Sequence, residues 1–370
     1  MENQTILYAG EDYAELEGYL RENKVKKIFL VCGGSIRSMR IDGYFRRLES
    51  DTDVRLIRFG DFRPNPLYES VAEGVRLFRK EKCDLIAAVG GGSAMDVAKC
   101  IKLFYNMDEK RNYLEQEIVP NDVKLLAAPT TAGTGSEATR YAVIYFEGAK
   151  QSISDESCIP SAVLMDPSLL KTLPEYHRKS SMLDALCHAV ESFWSVNSTR
   201  ESKAYSRAGI QAVLANMDSY LRNEDAGNSG MLAAANTAGK AINITQTTAG
   251  HAMCYGLTSG FGLAHGHAAA LCVAELWPYM EARTDRCVDA RGREYLKRTF
   301  KEIAHAMDCG TVREAIEKFR NIVAGLGLAP PKKGDYAMLS RSVNSVRLKN
   351  NPVALNEADI GEIYRKIFEG

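Results

Sequence analysis

A chain of 370 residues exceeds what one hydrophobic core usually fills, so two domains are expected. Apolar residues make up 45% and charged residues 25%, with 47 basic side chains against 47 acidic ones, the balance of an ordinary globular protein with no basic surplus for nucleic acid or an anionic membrane. Nine widely spaced cysteines without a C-x-x-C pair read as reduced thiols of a cytoplasmic protein, Met1-Glu2-Asn3-Gln4 lacks the basic start and apolar core expected of a signal peptide, and no apolar run approaches the roughly 20 residues that span a bilayer.

In chain order, short β-rich apolar runs fall at Lys27 to Cys32, Val54 to Phe59, Leu85 to Val89, Leu125 to Ala128 and Ala162 to Met165. The amphipathic stretches between them predict βαβ units and a parallel sheet covered on both faces. After Pro174, apolar residues recur at helical spacing and β-branched clusters thin out, which predicts helices. Pro160, Pro167 and Pro174 bracket the junction. The division expected is an α/β domain over residues 1–174 and an all-helical domain over 175–370.

Three glycine-rich turns follow predicted strands. In LIAAVGGGSAMDVAK the strand runs into Gly90-Gly91-Gly92, and Ser93 and Asp96 open a helix. Glycines let backbone N–H groups approach a phosphate, and a helix N-terminus adds partial positive charge; the same pattern also serves as a plain turn with Ser93 as its cap. PTTAGTGSE, from Pro129 to Glu137, offers hydroxyls and glycines beside a second strand end. Two such turns on one sheet point to a dinucleotide. The third turn, Gly33-Gly34-Ser35 with Arg37 close by, has no acidic residue to take a ribose 2′-hydroxyl and so favours NADP(H) over NAD(H).

Only six histidines occur, and three of them lie between Gly250 and His267. A fourth, His188, follows Asp184 by four residues, which puts both side chains on one helix face. Asp184, His188, His251 and His265 together supply four ligands for one divalent cation that would polarise a carbonyl oxygen. Either segment alone reads more readily as a surface ion pair or a hydrogen-bonded core histidine; the two together point to a metal.

GGGSAMD, PTTAGTGSEAT, DPSLLKTLP, DALCHAVES and GHAMCYGLTSGFGLAHG, in that order, resemble the iron-containing (group III) alcohol dehydrogenase family over essentially the whole chain. The resemblance implies a dehydroquinate synthase-like fold: a Rossmann-like dinucleotide domain (1–174), then a helical metal- and substrate-binding domain (175–370). It implies metal ligands at Asp184, His188, His251 and His265 and nucleotide contacts at Asn65, Gly91, Gly92, Ser93, Asp96, Thr130, Thr131, Thr134 and Lys150, and NADP-preferring members carry a turn like Gly33-Gly34-Ser35. One divalent metal is implied, Fe2+ or Zn2+, since one carboxylate and three imidazoles suit both. Many members have a second histidine where this chain has Tyr255, so Tyr255 and His267 become the candidates to deliver a proton.

Tyr255, the AHGHA segment, GKAINITQTTAGHAM and RLKNNPVAL are similar to the phosphonoacetaldehyde reductase (2-hydroxyethylphosphonate dehydrogenase) subgroup. A phosphonate needs cationic partners, for which Arg140, Arg347 and Lys349 are the candidates. The expected activity is NAD(P)H-linked reduction of phosphonoacetaldehyde, in a cytoplasmic homodimer or larger homo-oligomer. The alternatives are a butanol, propanediol or glycerol dehydrogenase of the same family, a lyase such as dehydroquinate synthase, or a non-catalytic homologue that binds metal or nucleotide.

Overall fold

Apolar residues alternate along Lys27–Cys32, with Ile28 and Leu30 facing one way and Phe29 and Val31 the other, and all four are fully buried. A strand apolar on both faces belongs inside a covered parallel sheet. The computed structural model describes residues 4–332, 334–343 and 348–369, and in it this strand is β2 of a six-stranded sheet. The strands are β1 (Thr5–Tyr8), β2, β3 (Arg55–Phe59), β4 (Leu85–Gly90), β5 (Lys124–Pro129) and β8 (Ala162–Met165), in the order β1-β8-β5-β4-β2-β3, and every pairing is parallel. Helices α1 (Ala14–Glu22) and α2 (Arg40–Asp51) set Leu16 and Phe45 against the Ile28 face, while α3 (Tyr68–Glu81) and α4 (Gly92–Phe104) set Phe78 and Val97 against the Phe29 face.

Two features of this unit are absent from the sequence reading. Strand β1 is four residues long and ends on Tyr8, which is exposed, so no apolar run announces it. Strands β6 (Tyr141–Phe146) and β7 (Ala149–Ser154) form a separate antiparallel hairpin. Its turn, Glu147-Gly148, has φ of 51° and 75°, the left-handed pair that a two-residue hairpin requires. The second strand, AKQSIS, is too polar to stand out as a buried run.

The chain divides into two compact units, Met1–Thr131 with Gly135–Leu173, and Pro174–Gly370 with Ala132–Thr134. The second unit is helical: α5 (Glu175–Trp194), α6 (Arg200–Leu221), α7 (Asp225–Thr245), α8 (Ala249–Phe261), α9 (His265–Ala282), α10 (Arg293–Ala306), α11 (Val312–Gly325), α12 (Tyr336–Ser342) and α13 (Glu357–Glu369). Helix α5 packs against α6, α7, α9 and α10 and is buried all round from Met182 to Trp194, as a central helix must be. Capping boxes start α6 at Thr199 and α11 at Thr311. Among the described residues no helix is long and apolar enough to cross a membrane, and all nine cysteines are free.

Candidate metal centre and nucleotide-binding turns

Polar side chains on the buried face of α5 need partners from other helices. Asp184 and His188, four residues apart, are 2% and 5% exposed, which rules out a helix-surface ion pair. His251 comes from the first turn of α8 and His265 is the first residue of α9. Asp184 Oδ1 lies 3.3 Å from His251 Nε2 and 3.8 Å from His188 Nε2. One ligand atom from each of Asp184, His188 and His251 lies within 4.8 Å of the others. The His188 and His251 rings stack at 4.5 Å, and the His265 ring centroid is 5.3 Å from that of His251, beside the group of three.

The charges fit a cation. Burial alone would push the Asp184 carboxyl up, but His188, His251 and His265 hold it well below the usual carboxylate range. Burial lowers the pKa of His188, whereas Glu191 and Asp184 overcome burial at His251 and raise it to about 9. His188 Nδ1 donates to the Gly133 carbonyl at 3.3 Å, which turns Nε2 towards Asp184. Two imidazole Nε2 atoms beside one buried carboxylate are of a donor type that suits a divalent first-row cation such as iron or zinc.

The proton-donor candidates diverge. The Tyr255 ring stands 5.5 Å from that of His265. His267, two residues along α9, points about 200° away from His265 at 100° per residue. Its ring is buried and its Nδ1 meets the Tyr176 hydroxyl at 3.2 Å.

The three glycine-rich turns leave the C-terminal ends of three adjacent inner strands, because Cys32 pairs with Val89 and Gly90 with Pro129. The Thr130 N–H donates to the Gly90 carbonyl at 3.0 Å, and a Cβ on Gly91 would lie 3.3 Å from the Thr131 side chain. Helix α4 starts with no side-chain cap, so Ser93 is not the cap of a plain turn. Gly33 and Gly34 have open space where a Cβ would be. Burial pushes the Asp96 carboxyl up to about 7, although Lys99, the Val143 N–H, Lys150 and the Ser136 hydroxyl lower it. Asn65 sits in an exposed loop with φ of 59°.

Two residues outside the sequence-derived set hold these groups in place. Lys99 is fully buried, with Nζ 2.6 to 3.1 Å from the Ser136, Thr139 and Tyr141 carbonyls and the Ser136 and Thr139 hydroxyls. Glu191, also fully buried, contacts Nδ1 of His251. Their only signals were spacings, three residues after Asp96 and seven after Asp184. Of the substrate candidates, Arg140 pairs with Glu156 at 3.0 Å and stacks on Tyr141, Lys349 is exposed, and Arg347 lies outside the described residues.

A family model described as "Iron-containing alcohol dehydrogenase" matches residues 3–167, and one described as "Fe-containing alcohol dehydrogenase family, C-terminal" matches residues 179–368. The phosphonoacetaldehyde reductase of Streptomyces viridochromogenes is 30% identical over 312 residues, covering 80% of this chain and 79% of that protein. Among solved structures, the iron-containing alcohol dehydrogenase of Thermococcus thioreducens matches with a TM-score of 0.87 at 21% identity, over 100% of this chain and 99% of that one. Sulfoacetaldehyde reductase of Bifidobacterium kashiwanohense, solved in complex with NAD+, matches with a TM-score of 0.84 at 24% identity, over 99% and 97%. At those identities the two structures establish the fold.

Proposed function

The chain belongs to the iron-containing alcohol dehydrogenase family, and from that premise we propose that it reduces phosphonoacetaldehyde to 2-hydroxyethylphosphonate with NADPH. The observation that carries the substrate is the 30% identity, across about four fifths of both chains, to a protein named phosphonoacetaldehyde reductase. NADPH in preference to NADH is supported by the open Gly33-Gly34-Ser35 turn with Arg37 nearby and no acidic side chain within it. Asp184, His188, His251 and His265 hold one divalent cation, Fe2+ or Zn2+. The protein works in the cytoplasm as a homodimer or larger homo-oligomer.

When bound, the cation supplies electrophilic polarisation of the aldehyde oxygen and the reduced nicotinamide supplies the hydride. The chain's own part is placement and proton supply. The Gly91, Gly92 and Ser93 backbone and the Thr130, Thr131 and Thr134 side chains orient the dinucleotide, with Asp96, Lys150 and Asn65 at its flanks. The Tyr255 hydroxyl gives a proton to the product oxygen, the role that many relatives leave to histidine; His267, engaged with Tyr176, is the second candidate. Arg140 meets the phosphonate by exchanging the exposed Glu156 carboxylate for a group of higher charge, with Lys349 and Arg347 as further cations.

The test is NADPH oxidation with phosphonoacetaldehyde against butanal after loading with Fe2+ or Zn2+. The expected result is a higher kcat/KM for the phosphonate, with Arg140→Ala raising KM for that substrate alone. A kcat/KM for butanal equal to or above that for phosphonoacetaldehyde would leave a short-chain alcohol dehydrogenase in its place.

A further inference from the structure

Glu191 follows Asp184 by seven residues and His188 by three, so the three side chains share one face of α5. A fully buried carboxylate is costly unless donors surround it, and donors from the start of α8 do so. Glu191 Oε1 accepts from the Thr248 N–H at 3.1 Å, the Thr248 hydroxyl at 2.5 Å and the His251 N–H at 3.3 Å. Glu191 Oε2 contacts Nδ1 of His251. Helix α8 has no cap from its own Thr248 side chain, and a carboxylate from α5 takes the Thr248 and His251 N–H groups at its start instead. Trp194 Nε1 donates to Thr248 Oγ1 at 2.9 Å, which leaves the hydroxyl hydrogen for Glu191. Gly250 makes the approach possible, since a Cβ there would stand 3.0 Å from Glu191 Oε1 and 2.6 Å from Val273 Cγ2.

We propose that Glu191 is a positioning residue for the metal: by accepting from His251 Nδ1–H it keeps that proton off Nε2 and holds Nε2 towards Asp184. The inference rests on the reading of Asp184, His188, His251 and His265 as the ligand set. A bound cation takes the place of the proton on Nε2, and the one ring proton that then remains is the one Glu191 fixes on Nδ1, while the negative partner makes Nε2 a better donor. Glu191 binds no metal itself; it acts through His251, and the same two oxygens anchor the helix that carries the ligand.

The experiment uses the full chain with Glu191→Ala, Glu191→Gln and Gly250→Ala. Zn2+ affinity is read by competition with a chromophoric chelator, the Co2+-loaded protein by its visible absorption, and the metal-free protein by its unfolding midpoint. Glu191→Ala is expected to weaken Zn2+ binding about 10- to 100-fold and to alter the Co2+ spectrum, with NADPH affinity unchanged. Glu191→Gln, which still offers an acceptor but no charge, should fall between it and the wild type. Should the alanine variant not fold, the glutamine and Gly250→Ala variants carry the test. Folded variants with wild-type Zn2+ affinity and Co2+ spectrum, or with losses that only track the folded fraction, overturn the inference. Zn2+ uptake that survives Asp184→Asn sinks the ligand assignment and the inference with it; uptake that depends on Asp184 but not on Glu191 sinks the inference alone.

Discussion

Replacing Lys99 with methionine tests whether a buried charge fastens the second glycine-rich loop. Its ammonium serves five oxygens at 2.6 to 3.1 Å, three of them backbone carbonyls of Ser136, Thr139 and Tyr141. Methionine keeps the length and packing but removes the ammonium from all five oxygens. The Ser136 carbonyl keeps the Thr139 N–H and hydroxyl, and each buried bond lost elsewhere costs about 1–3 kcal/mol, so a loss of about 3–5 kcal/mol is expected, the range found for breaking a buried charged contact. At about 2–4 °C per kcal/mol for a domain of this size, calorimetry should show Tm falling by about 6–20 °C. Because the loop carrying Thr130, Thr131 and Thr134 loses its tether, a fluorescence titration should show NADPH affinity falling about tenfold, equivalent to about 1.4 kcal/mol. A Tm loss of less than about 2 °C with unchanged NADPH affinity would refute the reasoning.

Three other outcomes follow from the same geometry. His251→Ala should lose metal by more than about 100-fold, beyond the range of changes to ligand-supporting residues, and lose turnover with it, while equilibrium titration finds nucleotide affinity intact; turnover retained in that variant would sink the ligand assignment. Asp96 has a folded pKa of about 7 against an ordinary value of 3.8, so its contribution to stability is complete below about pH 4 and is lost as pH rises through about 7. Asp96→Asn should therefore match the wild type near pH 4 and exceed it at pH 8 by up to about 4 kcal/mol, less for its partial exposure; urea midpoints differing equally at both pH values would count against this. Arg58 pairs with the buried Asp42 at 2.7 Å, and both Arg58 and Arg37 lower the pKa of Cys32, which burial raises, so both guanidinium groups lie near the end of β2. Arg58→Ala should cut the preference for NADPH over NADH about tenfold, the value of one charge-assisted bond, and an unchanged ratio of the two KM values would show that Arg58 does not meet the 2′-phosphate.

The sheet was legible because a buried parallel strand has to be apolar on both faces, and KIFLVC, LIAAV and the runs at 125–128 and 162–165 satisfy that with nothing but local composition. Strand β1 escaped because four residues at a sheet edge, one face of them wet, carry too little apolar signal. The hairpin escaped because its stability lies in a positive-φ turn and a polar partner strand, neither of which differs in composition from a surface loop. Ser93 is the case where composition left two roles open: a serine after glycines can cap a helix or meet a phosphate, and the backbone starts α4 without a side-chain cap.

The site divides along the same physical line. Asp184, His188, His251 and His265 could be singled out because histidine is rare in this chain and because i and i+4 on a helix share a face whatever the rest of the protein does. Glu191 and Lys99 could not, since glutamate and lysine are abundant here and their meaning depends on partners 57 and 37 residues away in sequence. Each becomes visible only when folding removes water from around it: a buried carboxylate must find donors and a buried ammonium must find acceptors, and the donors and acceptors found are the helix start that presents His251 and the loop that follows β5. The charges least readable in the sequence are thus the ones that set where its most readable residues point.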